Sequence, residues 1–192
     1  MLQSRRLSHF QSMHLGAAIG LALLLAARPA AAAAPQPGQK APVFSLKTID
    51  KGDARTLDTL GKGKLATAVV FLSCKCPWVV KARGPLADLV KQYGGKVQFV
   101  GVNSNQNESA DDIKADAAQN FAFPMLRDEG SKVADLYGAE RTPEIFLVDP
   151  AGIVRYHGGL DDLGAALGEL TAGKPVTKAA TKSLGCSIKR KS

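Results

Sequence analysis

The residues of this chain best suited to chemistry are its three cysteines. Cys74 and Cys76 stand one residue apart in Phe71-Leu72-Ser73-Cys74-Lys75-Cys76-Pro77-Trp78, at the end of an apolar run, and Cys186 lies far downstream in a lysine-rich stretch. Thiolate is the reactive form, so the question is which sulfur is held as an anion. Pro77 suits the first turn of a helix, where its missing N–H costs nothing. That places Cys76 near the N-cap, facing free backbone amides and the positive end of the helix dipole. Lys75, Lys81 and Arg83 add positive charge nearby. Cys76 is therefore the expected redox nucleophile. Cys74 has two readings: a resolving partner in a small, strained and labile Cys-x-Cys disulfide, or a free thiol facing away. Cys186 is either a resolving thiol swung to Cys76 by a flexible tail, or a cysteine used for packing or left free.

An odd number of cysteines does not make a disulfide framework and leaves one thiol over. After His9 and His14, His157 is the one remaining histidine. A zinc site with several histidines is thereby excluded, and the plain reading of His157 is a surface strand residue. Soft sulfur ligands suit Cu(I), so a copper carrier using Cys74 and Cys76 is a non-enzymatic alternative. For the enzyme, no cofactor or metal is expected. Asp111, Asp112 and Asp116 read as a solvated helix face.

The elements that must position these thiols emerge from periodicity and turn chemistry. Leu65–Leu72 is an apolar run between a glycine loop and Pro77, the pattern of a buried strand. From Pro77, Val79, Val80, Leu86, Leu89, Val90 and Tyr93 recur at helical spacing until Gly94-Gly95, with Gly84-Pro85 expected to kink or divide the helix. Val97–Val102 and Glu144–Val148 are further apolar strands. Val43–Leu46 and Phe123–Leu126 are short extended segments. Ser109 caps a helix reaching Phe121, and Ser131–Tyr137 is a short helix closed by Gly138. Asp149-Pro150-Ala151-Gly152 turns the chain into a returning strand, Ile153–His157. Leu160–Leu170 is a last amphipathic helix. Strands alternating with helices give an α/β layer architecture with a mixed sheet.

Residues 1–34 stand apart: Arg5 and Arg6, an uncharged stretch Leu15–Ala27, then alanines up to Pro35. This is the pattern of an export signal, and the uncharged stretch is shorter than the about 20 residues that span a bilayer. The expectation is a periplasmic or secreted protein with no stable membrane span after signal removal. The remainder of the chain reads as one domain, residues 35–175, and a basic tail, 176–192, carrying Cys186. The whole chain has a net charge of +8. Its tail has no aromatic residues to interleave with the lysines, which argues against nucleic-acid binding.

Four blocks then show a resemblance. Ala41-Pro42-Val43-Phe44-Ser45-Leu46, the strand Leu65–Leu72 running into Cys76-Pro77, Thr142-Pro143 with Ile145–Gly152 after it, and Leu184-Gly185-Cys186-Ser187-Ile188-Lys189 resemble, in order and spacing, the redoxin group. This is the alkyl hydroperoxide reductase / thiol-specific antioxidant (peroxiredoxin-like) branch of the thioredoxin-like superfamily. The resemblance implies a thioredoxin-like fold, a central mixed β-sheet flanked by helices. It also implies a cis bond before Pro143, with the Thr142 backbone facing the active cysteine. The subgroup's Cys-x-x-Cys-Pro pattern puts Ser73 where its first cysteine stands. A peroxide-reducing member also uses a proline, here Val69, and an arginine, at a place that here falls on Pro143; Arg127, Arg141 and Arg155 are the nearest substitutes. Ser73 fills that pattern's hydroxyl place. The resemblance therefore implies thiol–disulfide oxidoreductase chemistry at Cys76, Cys74, Ser73, Thr142 and Pro143, with Cys186 a possible resolving thiol. Thiol peroxidase (antioxidant) activity is the alternative. Its partners are protein thiols or disulfides, a small thiol or a peroxide, with an external electron donor the sequence does not name.

Overall fold

The computed structural model describes residues 33–191, which belong to one compact unit. Except for Ala33 and Ala34, the expected export signal lies outside the described residues. Among the described residues no helix is long and apolar enough to cross a membrane.

The apolar run ahead of the cysteines is β3 (Ala66–Leu72), buried along its whole length. Its alternate residues serve opposite faces. Val69 and Phe71 join one core cluster; Ala68, Val70 and Leu72 join the other. A strand covered on both faces favours apolar residues on both, which is why the sequence, Thr67 apart, shows no polar alternation here. β4 (Val97–Asn103) pairs parallel with β3, and β5 (Met125–Arg127) parallel with β4. β7 (Glu144–Val148) pairs antiparallel with β3, and β8 (Val154–Gly158) antiparallel with β7. β1 (Ser45–Thr48) and β2 (Ala54–Thr56) complete a mixed sheet of order β2-β1-β5-β4-β3-β7-β8. Helices α1 (Leu57–Gly61) and α4 (Lys132–Leu136) cover one face through Leu57, Leu60 and Val133. Helices α2 (Pro77–Tyr93), α3 (Ala110–Asn120) and α5 (Leu163–Thr171) cover the other through Val79, Leu86, Ile113 and Leu167. This is the thioredoxin-like layering that the sequence blocks imply.

Two expectations are corrected. Helix α2 is not divided at Gly84-Pro85 but runs on through Pro85. The ring removes one donor from the ladder, yet Val79, Ala82 and Leu86 bury one face across the gap and hold both halves to the sheet. The second correction concerns the basic tail, which is not a mobile end. Short strands β6 (Arg141–Thr142) and β9 (Cys186–Ser187) pair antiparallel, Thr142 opposite Cys186. Upstream, the tail brackets His157, whose N–H donates to the Ala179 carbonyl at 2.8 Å and whose carbonyl accepts from Thr181 N–H at 2.9 Å. Downstream, Ile188 enters the first core cluster with 5% of its surface exposed. The lysines stay in water while these backbone and apolar anchors fix the chain.

Candidate active site

Leu72 ends β3, three residues form a loop, and Cys76 is the N-cap of α2 with Pro77 at its first helical position. The residue is 2% exposed. The Thr142–Pro143 bond is cis, and the Thr142 carbonyl oxygen lies 3.2 Å from Cys76 Sγ, which donates to it as a thiol. Cys186 stands opposite Thr142 across β6 and β9, with its thiol close enough to Cys76 to interact with it. The structure thus brings Cys76, Thr142, Pro143 and Cys186 together.

The two sulfurs are pushed in opposite directions. For Cys76 the largest influence, burial, opposes the anion. It is outweighed by hydrogen bonds from the Cys186 thiol and Thr142 hydroxyl and by the Val79 and Cys186 amides, which hold its pKa below the ordinary thiol value. The Val79 amide acts on the sulfur as a dipole, since no side-chain capping bond forms at this N-cap. Cys186 is raised, first because its proton is held by Cys76 and then by burial. Within the pair the anion is favoured on Cys76 and the proton on Cys186.

Cys74 does not share in this arrangement. Burial first, then the Glu108 carboxylate, push its thiol up to about 12. Glu108, 4% exposed, is a residue that motif reading does not single out. Its Oε2 accepts from Cys74 N–H at 3.1 Å and from Asn103 Nδ2 at 2.6 Å, and its Oε1 accepts from the Ser73 hydroxyl and from Lys75 N–H at 3.2 Å. Burial opposes ionisation of Glu108, but these donors win and keep its carboxyl below the usual range. Ser73 is therefore occupied in holding the loop. The sequence signal for Glu108 is the polar run Asn103–Glu108 directly after a buried strand, at the sheet edge that carries the thiols.

The basic neighbours are also otherwise engaged. Lys75 pairs with Asp112 at 3.1 Å, Arg83 pairs with Asp116, and Lys81 Nζ sits 5.4 Å over the Trp78 ring. Two of the three acids expected to be solvated on α3, Asp112 and Asp116, are thus ion-pair partners, while Asp111 is exposed. Trp78 is 47% exposed. Of the arginines that could have stood in for a peroxide-polarising guanidinium, Arg127 donates to Asn103 Oδ1 and the Asn105 carbonyl, Arg141 to the Gly185 carbonyl, and Arg155 to Asp149.

A second buried carboxylate supports the cis-proline turn. Glu144 Oε2 accepts the Glu140 and Arg141 amides at 2.9 and 2.8 Å, and its Oε1 meets His157 Nε2 at 2.7 Å. Burial opposes its charge, but His157 and the two amides hold its pKa low. His157 is thus no surface residue: it also stacks on Phe146, with ring centroids 4.1 Å apart. Among the described residues no three His, Cys, Asp or Glu side chains are grouped as a metal site.

Residues 37–157 match the AhpC/TSA family. The chain is 30% identical over 122 residues to the thioredoxin-like protein YneN of Bacillus subtilis, covering 62% of this chain and 69% of that one. Among solved structures it is similar to an uncharacterized conserved protein of Geobacillus kaustophilus, at 32% identity and TM-score 0.75, covering 81% of this chain and 92% of that one. It is also similar to a hypothetical protein of Sinorhizobium meliloti 1021, at 31% identity and TM-score 0.76, covering 83% and 97%.

Proposed function

The chain belongs to the AhpC/TSA family and is a thiol-dependent oxidoreductase of the thioredoxin-like and peroxiredoxin-like kind, and from this premise we propose that it exchanges disulfides through Cys76 with Cys186 as the resolving thiol. The observation that carries this reading is the Cys76–Thr142–Cys186 arrangement: a thiolate-favouring N-cap sulfur and a protonated second sulfur in contact with it. The Cys76 thiolate attacks one sulfur of a substrate disulfide and expels the other as a thiolate, leaving a mixed disulfide. Cys186 then attacks Cys76, its proton passing to the departing substrate sulfur. Two electrons leave the enzyme, one disulfide is reduced to two thiols, and Cys76–Cys186 is formed. An external dithiol restores the enzyme, or the sequence runs in reverse.

Ser73, Thr142 and Pro143 serve this chemistry by position. Ser73 fixes the loop through Glu108, and Thr142 and Pro143 present backbone to the sulfur. Peroxide reduction is the weaker reading, because the three candidate arginines are engaged elsewhere and none donates to Cys76. A Cu(I) carrier on Cys74 and Cys76 has less support, since Cys74 hydrogen-bonds Glu108 and His157 is held by Glu144. The N-terminal pattern supports an exported enzyme; N-terminal sequencing of the mature protein should begin near Pro35.

The test is single-turnover oxidation of the reduced protein by a small disulfide, with each cysteine mapped by mass spectrometry. Wild type should gain one bridge, Cys76–Cys186. Cys76→Ser should gain none, Cys74→Ser should match wild type, and Cys186→Ser should stop at a mixed disulfide on Cys76. A bridge in wild type joining Cys74 to Cys76 would refute the assignment of roles.

A further inference from the structure

The strand that carries Cys186 does more than supply a thiol. The backbone of β6 is the peptide edge beside the reactive sulfur, the place where an extended substrate chain would pair. In this protein the edge is taken: Cys186 stands opposite Thr142 and Ser187 opposite Arg141. The fit admits no side chain, because a Cβ on Gly185 would lie 2.2 Å from the Thr142 oxygen and 2.7 Å from its carbon. Four further ties hold the strand down. Ile188 N–H donates to the Glu140 carbonyl at 2.9 Å, Lys189 N–H to Asn105 Oδ1 at 2.9 Å, Gln106 N–H to the Lys189 carbonyl at 2.7 Å, and Arg190 Nη2 to the Ala139 carbonyl at 2.8 Å. Beside this edge lies an open groove of about 510 Å³, lined by Trp78, Lys81, Pro143, Leu160, Lys182 and Leu184 among others. Its size is that of a small-molecule site. Two lysines, Lys81 and Lys182, and two acids, Asp88 and Asp161, line it, so its formal charges balance.

Resting on the assignment of Cys76 as nucleophile, we propose that β9 is a built-in occupant of the polypeptide edge, so that the enzyme acts on low-molecular-mass, uncharged disulfides and bars polypeptide disulfides. A small disulfide approaching from the Trp78 groove, which meets the site at Pro143 and Leu184, does not need the β6 edge. A polypeptide must also lift Gly185–Ser187 off β6 and break the ties beyond it. A strand docked more than nine-tenths of the time lowers the apparent reactivity toward any competitor for its place by about tenfold or more.

Reduced full-length protein is mixed with bis(2-hydroxyethyl) disulfide or with insulin, and formation of the Cys76–Cys186 bridge is timed by mass spectrometry. Wild type should react with the small disulfide at least about tenfold faster than with insulin, and Gly185→Ala, which keeps all three thiols and pushes β9 off, should raise the insulin rate relative to the small-disulfide rate about tenfold, since any loss from displacing Cys186 falls on both substrates alike. Equal wild-type rates, or an unchanged ratio in folded Gly185→Ala, overturn the proposal. If Gly185→Ala does not fold, the wild-type ratio decides together with Ile188→Ala, which loosens the same strand. If only the loosened variants react with the small disulfide, the strand bars both classes and the substrate assignment falls. If Cys76→Ser still forms a bridge, the nucleophile reading fails instead.

Discussion

Glu108→Gln tests how the site chooses between two possible partners for Cys76. In wild type the carboxylate takes donors on both oxygens. A glutamine can keep only one oxygen. Asn103 cannot flip to compensate, because its Oδ1 already accepts Asn105 N–H at 3.1 Å and Arg127 Nη1 at 3.0 Å. The glutamine oxygen must therefore take the Oε2 place, facing Asn103 Nδ2 and Cys74 N–H, and its NH₂ meets Ser73 and Lys75 N–H. The Ser73 hydroxyl can rotate to accept, but Lys75 N–H is left with Ser73 Oγ alone, at 3.2 Å. Losing one charge-assisted bond costs about 1.5–3 kcal/mol, and the neutral amide is easier to bury, so we expect a net loss of about 2 kcal/mol. That lowers the melting temperature by about 4–8 °C for a domain of this size. The same change removes the carboxylate that helps hold Cys74 protonated. With the thiol at about 12, about one Cys74 in a thousand is thiolate at pH 9; removing the Glu108 contribution should raise its alkylation rate there about tenfold, one unit of pKa, with burial still opposing the rest. Thermal denaturation and site-resolved iodoacetamide labelling read both effects. An unmoved melting temperature with unchanged Cys74 labelling would refute the reasoning.

Labelling of Cys76 across a pH series should show a midpoint below that of free cysteine, and Cys186→Ala should raise it by removing a donor to the thiolate. Glu144 has a folded pKa below its unfolded value of 4.5, so its contribution to stability is complete above about pH 4.5 and is lost as the pH falls through the lower, folded value. Denaturant titrations of Glu144→Gln should therefore show a flatter acid limb than wild type; equal slopes would assign the acid loss elsewhere. Ile188→Ala deletes a buried side chain worth about 2–5 kcal/mol, and limited proteolysis near Arg190 should accelerate about 30-fold or more as the tail opens locally.

Much of this site is written in local pattern. The apolar run ending at Leu72, the proline after Cys76 and the Ser109 cap each act within a few residues, and so are legible in one sequence. Gly84-Pro85 misleads because tertiary burial of Val79, Ala82 and Leu86 overrides a local breaker. What local pattern cannot show is pairing across distance. Thr142 and Cys186 are 44 positions apart, and nothing near either residue announces the partner. Composition points the wrong way at the tail, where lysines suggest solvent while Gly185 and Ile188 decide the outcome. Glu108, in a loop, and Glu144, at the start of β7, are hidden for the same reason: an acid reads as exposed until the donors converging on it are known.

Because β9 follows every other strand in the chain, the cover over Cys76 is made after the elements it covers. A nascent chain emerging N-terminus first can complete β3, α2, β4 and β7, and so shape the reactive sulfur, before Gly185 has left the ribosome. During that interval, and in any molecule clipped beyond Lys182, the nucleophile stands without its lid or its partner. The integrity of the β9 segment thus sets whether the finished protein carries a guarded thiol or an open one.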